Sequence, residues 1–294
     1  MSVEKFAFIG LGRMGYPMAG HLRAAGHQVT VFDIFEETVD RWVAEHGGQA
    51  ASSPREAAAG ASIVFTSLPA DAHLRTAAYG DDGIFAGLET GAVWVDHTTA
   101  SVAVSRELAE AATNQGAGFL DAPVSGGVQG AVNGGLTIMV GGADESVTRA
   151  LPFIELYASL ATHLGPSGAG QLTKMANQIC VVGLCQALAE GLDFAESAGL
   201  DVAQVISVML KGSSTSWQME NRAETMLAGE YDFGFATPLM QKDIALCMEA
   251  AREMAVPLPI TSMVGQFLAD VERMGGQGWD WSSLMERQRS HRSG

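Results

Sequence analysis

FAFIGLGRMGYPMAGHL, Phe6 to Leu22, decides the fold. Phe6-Ala7-Phe8-Ile9 is a short apolar run bounded by glycine, the pattern of a buried strand. Gly10, Gly12 and Gly15 follow in G-x-G-x-x-G spacing. The first glycine permits a sharp turn because it has no Cβ to clash. The second lets a ligand reach the backbone, and the third lets the next helix pack close to the strand. Met14, Met18 and Leu22 then recur at helical spacing. A helix entered this way directs its free N–H groups and the positive end of its dipole at whatever sits in the loop, which favours a phosphate. Glycines in a tight strand-to-helix turn would suit any such turn. The strand before them and the apolar helix after them are the context that points to a dinucleotide.

Outward from this stretch, strands alternate with helices. Gln28 to Asp33, Ser62 to Pro69, Ala92 to Thr99, Gly118 to Gly127 and Leu136 to Gly142 carry strand patterns. Glu36–His46, Ser105–Gly116 and Glu145–Ala158 carry helical ones. Such alternation predicts βαβ units on a mostly parallel sheet. The pattern changes after HLGPSGAG, His163 to Gly170. Long apolar-periodic segments at 171–198, 201–211, 216–228, 238–254 and 258–274 predict helices, and no strand is expected among them. The predicted architecture is an α/β Rossmann-type N-terminal domain, residues 1–164, joined by a long helix to an all-α C-terminal domain, residues 165–294. The closing RQRSHRSG reads as a solvated, frayed end.

The chain has 294 residues, enough for two domains, and 47% of them are hydrophobic, as in a globular protein. Its formal net charge of −16 disfavours nucleic acid and anionic membrane as partners, while leaving a small anionic substrate open to a locally opposed site. Cys180, Cys185 and Cys247 have neither disulfide nor zinc spacing and read as buried free thiols. The longest apolar run, Ile179 to Ala189, is broken by Gln186 and falls short of the ~20 residues of a membrane helix. The first strand begins too early to leave room for a secretory signal. A cytoplasmic location and no metal are the expectations.

Three further positions carry chemistry. Asp33 ends the second strand, close to the ~20-residue offset at which an acid meets the adenosine ribose. A carboxylate there accepts from the ribose hydroxyls and repels a 2′-phosphate. Ile34 and Phe35 follow where an NADP site tends to place arginine, so NAD is favoured over NADP. Methyltransferases that use S-adenosylmethionine also end a second strand in an acid, and remain open at this point. DAPVSGG, Asp121 to Gly127, opens from a strand end into Ser125-Gly126-Gly127, whose N–H groups can converge on a carboxylate. GPSGAGQLTKMANQ, Gly165 to Gln178, leads into a helix with Lys174 and Asn177 three apart, on one face. A lysine desolvated there would exchange protons near neutral pH, as the removal of a hydroxyl proton during hydride transfer requires. A lysine that snorkels to water is the alternative.

Together, G-L-G-x-M-G-x-x-M-A, D-A-P-V-S-G-G and G-x-x-G-A-G-x-x-x-K-x-x-N, in this order and spacing, resemble the β-hydroxyacid dehydrogenases, the group of 3-hydroxyisobutyrate dehydrogenase and tartronate semialdehyde reductase. The resemblance spans about residues 5 to 285. It implies a Rossmann domain, a long interdomain helix, and a helical domain that takes part in a homodimer or homotetramer. It implies that Gly10, Leu11, Gly12, Arg13, Met14, Gly15, Asp33, Leu68, Pro69, Thr99 and Lys242 serve the cofactor. Ser125, Gly126, Gly127 and Asn177 would hold the substrate carboxylate, and Lys174 would be catalytic. His97 and Thr98 depart from the small or apolar neighbours more usual in this family. Lys174 argues against imine reductases, which usually replace it. Phosphogluconate dehydrogenases are generally longer and add basic residues for a phosphate. The implied activity is NAD-dependent interconversion of a small 3-hydroxy acid with its semialdehyde or oxo acid. A reductase of tartronate or succinate semialdehyde is the alternative within the family, and a non-catalytic NAD-binding sensor the alternative outside it. Trp217, Met219, Phe233 and Phe235 are candidates for substrate selectivity, with core packing the favoured reading of each.

Overall fold

The computed structural model describes residues 3–292. Its elements run β1 Lys5–Ile9, α1 Gly15–Ala24, β2 Gln28–Phe32, α2 Glu36–His46, β3 Gln49–Ala50, α3 Pro54–Ala58, β4 Ile63–Thr66, α4 Asp71–Ala78, α5 Ile84–Gly87, β5 Val93–Asp96, α6 Val102–Asn114, β6 Gly118–Asp121, β7 Val124–Ser125, α7 Gly127–Val132, β8 Leu136–Gly142, α8 Asp144–Ile154 and β9 Ala158–Gly165. The remainder is helical: α9 Ala169–Ser197, α10 Val202–Met209, α11 Trp217–Ala228, α12 Thr237–Glu253, α13 Pro259–Arg273 and α14 Leu284–Ser290. The chain divides into two compact units, residues 1–174 and 175–294, and α9 begins in the first and continues through the second.

In the first unit, strand order is β3-β2-β1-β4-β5-β6-β8-β7, with β9 beside β8. The strands from β3 to β6 are parallel, so their carboxyl ends emerge on one edge. β8 runs antiparallel to both β6 and β7 and parallel to β9. The sheet is apolar on both faces because helices cover both. Along β1, Phe6 and Phe8 join one core with Met18, Leu22 and Trp42, while Ala7 and Ile9 join the other with Leu74, Trp94 and Leu108. Order reverses between β1 and β4, where sheets of this kind leave a crevice at their carboxyl edge.

Several boundaries differ from the sequence reading. α6 starts three residues earlier than expected, because the Ser101 hydroxyl accepts from Val104 N–H and caps it. The helix expected to reach Ala158 ends at Ile154, and the chain turns into β9. That strand sits at the sheet margin and is largely exposed, so it lacks the buried apolar run that marks the others. β3 and β7 have two residues each, too few for a periodic signal.

The second unit packs α9 to α14 around Val182, Cys185, Leu192, Met226, Met240, Leu268 and Leu284. The tail is not frayed as far as Arg292. Arg287 pairs with Asp270, Arg289 with Glu196, and Arg292 with Asp193 and Glu196. Ser293 and Gly294, the end of that stretch, lie outside the described residues. Cys185 and Cys247 are buried as expected, but Cys180 is exposed on α9. α9 is also long and apolar enough, by length and composition alone, to cross a membrane, which the apolar run by itself did not suggest; half of its most apolar window is buried within the protein.

Candidate active site

The glycine loop follows β1 at the order reversal. Gly10 has φ 95°, and a Cβ there would strike the Ser67 carbonyl and Leu68 Cδ2. A Cβ on Gly15 would overlap the Gly10 carbonyl oxygen. These two glycines are required by the protein itself. Gly12 differs: a Cβ there meets nothing within 4 Å. The space beside Gly12 is therefore open to something outside the chain, as a close approach of pyrophosphate requires. α1 has no side-chain cap and no acid in its first turn, so its dipole is left to an anion. Arg13 is exposed in the same loop.

Asp33 closes this loop. Its Oδ2 accepts from Leu11 N–H at 2.6 Å and its Oδ1 from Phe35 N–H at 3.0 Å. The carboxylate is thereby held beside the glycines, and Ile34 and Phe35 next to it are exposed. Arg41, the nearest arginine after it in sequence, lies over the Tyr16 ring at 5.2 Å, and the Tyr16 hydroxyl donates to Glu45.

The loops after β4, β5 and β6 share that edge. Leu68 N–H donates to Thr98 Oγ1 at 3.0 Å, tying the Leu68-Pro69 turn to the loop that contains Thr99. His97 is buried. Its Nδ1 lies 2.7 Å from Ala122 O and its Nε2 2.8 Å from the Tyr157 hydroxyl. Burial lowers its pKa to about 4, so the ring is neutral and holds the DAPVSGG stretch to the β5 loop. Gly126 and Gly127 have φ of 124° and 64° and are both exposed, leaving backbone N–H groups accessible beside half-buried Ser125.

Asp121, at the end of β6, supports the site, although its place in the DAPVSGG motif does not mark it as a site residue. Its Oδ1 accepts from Gly168 N–H at 2.7 Å and its Oδ2 from Gln171 N–H at 2.9 Å. It thus anchors the start of α9. Cβ atoms on Gly141 or Gly170 would collide with its carboxylate, so glycines at both places allow the approach. Burial raises its pKa against these hydrogen bonds. Lys174, one turn further along α9, is 7% exposed. It is a buried lysine, not a snorkelling one.

In the helical unit, Asn177 Nδ2 donates to Gln178 Oε1 at 2.9 Å, and Gln178 Nε2 donates to Asp243 Oδ2 at 2.7 Å. Lys242 Nζ pairs with Asp243 Oδ1 at 3.1 Å. Asn177 and Lys242 are therefore linked through two buried residues, Asp243, which forms the K-D pair with Lys242 in the sequence, and Gln178, which no sequence motif marks. Of the selectivity candidates, Met219 is core, and Phe235 packs against that core. Trp217 and Phe233 flank the Arg222 guanidinium, at 5.1 and 4.3 Å.

The sequence profile described as the NAD binding domain of 6-phosphogluconate dehydrogenase matches residues 5–165, and that described as NAD-binding of NADP-dependent 3-hydroxyisobutyrate dehydrogenase matches residues 168–287. The chain is 35% identical over 283 residues to 2-(hydroxymethyl)glutarate dehydrogenase of Eubacterium barkeri, covering 96% of this chain and 94% of that one. This chain belongs to the β-hydroxyacid dehydrogenase family. An uncharacterized oxidoreductase of Shewanella frigidimarina is 50% identical over 291 residues, with 99% of this chain and all of that one covered. The solved structure of Mycobacterium tuberculosis 3-hydroxyisobutyrate dehydrogenase with L-serine superimposes with a TM-score of 0.89 at 31% identity, covering 98% of this chain and 100% of that one. The β-hydroxyacid dehydrogenases are NAD(P)-dependent enzymes, so the methyltransferase and non-catalytic readings fall away.

Proposed function

We propose that this enzyme interconverts a small 3-hydroxy acid, of the size of 3-hydroxyisobutyrate, with its semialdehyde, and that it prefers NAD. The observation that carries the reading is Lys174, a buried lysine one helical turn beyond a helix start fixed by Asp121. The nicotinamide, when bound, accepts or donates the hydride. Lys174 handles the proton: its amine takes the hydroxyl proton in oxidation, and its ammonium returns it in reduction and steadies the charge on oxygen. Ser125 and the N–H groups of Gly126 and Gly127 are assigned to the substrate carboxylate, with Asn177 as a further contact. Gly10 to Gly15, Leu68, Pro69, Thr99 and Lys242 are assigned to the cofactor. Asp33 is assigned to the ribose, and its fixed carboxylate beside exposed Ile34 supports NAD over NADP.

The partners we propose are a small carboxylate substrate and further copies of the same chain. Cys180, Leu184, Ala187 and Phe194 are exposed on α9, and half-buried Gly191 falls between the last two. The five follow one another at three- and four-residue spacing and so form one stripe, in which Phe194 is 75% exposed. Absorbance at the NADH band tests the activity, with 3-hydroxyisobutyrate, serine, glycerate, 3-hydroxypropionate and 4-hydroxybutyrate each offered with NAD and with NADP. Turnover on at least one 3-hydroxy acid, faster with NAD, is expected. Activity confined to 4-hydroxybutyrate would refute the 3-hydroxy assignment.

A further inference from the structure

Gln171 is completely buried on the first turn of α9 and makes three hydrogen bonds. Its Oε1 accepts from Ala100 N–H at 3.0 Å, and its Nε2 donates to Thr98 C=O at 2.7 Å. Its own N–H is the one that Asp121 holds. The carboxamide can sit only one way round, because turning it over would set oxygen against the Thr98 carbonyl. A methionine would fill similar volume without the desolvation cost of a buried amide, so packing alone does not call for glutamine. Thr98, at the other end of the strut, accepts Leu68 N–H and donates its own N–H to Asp96 at 3.1 Å. One residue thus connects the loop assigned to the cofactor with the helix that carries Lys174.

Lys174 follows Gln171 by three residues and stands on the same helical face. The intervening backbone is a single rigid turn, so a shift of Gln171 is a shift of Lys174. We infer that Gln171 is a positioning residue, which sets Lys174 at its working distance by referring α9 to the loop of residues 98–100. This rests on the assignment of Lys174 as the acid–base group. A misplacement of about 1 Å costs up to ~100-fold in such chemistry.

The test is a double-mutant cycle on the full chain, with folding followed by circular dichroism. Gln171→Met should lower kcat about 10- to 100-fold, while NADH affinity, read by fluorescence, changes less than about threefold. Added to Lys174→Ala, it should slow turnover by no more than about twofold, because the group that it positions is gone. Gln171→Glu supplies a second signature. Only the protonated form of the introduced carboxyl can donate to Thr98 C=O, so the rate of this variant relative to wild type should climb as pH falls. The neighbouring Asp96 and Asp121 carboxylates raise the pKa of a carboxyl placed there, and Lys174 opposes them. Wild-type kcat in Gln171→Met overturns the inference, as does a pH-independent ratio in Gln171→Glu. A Gln171→Met loss that multiplies in full onto the residual turnover of a strongly impaired Lys174→Ala enzyme overturns it while leaving the Lys174 assignment intact. An active Lys174→Ala enzyme overturns that assignment and this inference with it.

Discussion

Asp96→Asn should stabilise the Rossmann unit at alkaline pH and do far less at acid pH. Asp96 ends β5 and is wholly buried, facing Asp121 in the strand register. Its Oδ1 accepts from Thr66 Oγ1 at 2.6 Å and from Thr98 N–H, but its Oδ2 has no partner among the described residues. Burial, with a contribution from Asp121, pushes its pKa up from 3.8 to about 7, against the pull of those hydrogen bonds. A carboxyl whose pKa is raised by folding binds its proton more tightly in the native state. Its stabilising effect is fully present below about pH 4 and is lost as pH rises through about 7. A displacement of about three pH units is worth about 4 kcal/mol in total, of which about 3 kcal/mol falls between about pH 5 and about pH 8. Asparagine keeps the Oδ1 acceptor and removes the charge. Denaturant midpoints of wild type and variant, measured at both pH values with the m-value held common, should show the variant gaining about 3 kcal/mol on wild type over that interval. A stability difference equal at the two pH values to within about 0.5 kcal/mol would refute the reasoning.

Lys174→Ala should lose at least about 100-fold in turnover with NADH affinity nearly unchanged, and Lys174→Arg should not rescue it, because guanidinium does not release its proton near neutral pH; over a tenth of wild-type turnover would refute the assignment. Asp33→Ser with Ile34→Arg should move a preference for NAD of about tenfold or more toward NADP, as judged by kcat/KM; equal wild-type efficiency with both cofactors would defeat the role of Asp33. Light scattering should give a multiple of 30.8 kDa, and Leu184→Glu on the exposed α9 stripe should lower that mass; a wild-type monomer at micromolar concentration contradicts the oligomer.

The dinucleotide fold was legible in one short stretch because its constraints are local. A strand, a turn that tolerates no Cβ at Gly10 and Gly15, and an uncapped helix are each written in adjacent side chains. The motifs that hold Lys174, Ser125 and Asp33 were legible for a related reason: each is short, and its spacing survives in one dimension. The supports of the site were not. Asp121 reaches Gly168 and Gln171 across 47 and 50 positions, and Gln171 reaches Ala100 and Thr98 across 71 and 73. In sequence, an aspartate after a strand and a glutamine on a helix are ordinary polar residues. Only folding buries them and removes water as a partner, so that each must find its hydrogen bonds in a distant loop. Strand β9 and helix α14 escaped for the same reason, since pairing with β8 and ion pairs to Asp193, Glu196 and Asp270 define them more than any pattern of their own. Local sterics and periodicity thus dictate which elements form and which motifs they display; the placement of buried polar groups such as Asp121 and Gln171 exists only once the chain has closed on itself.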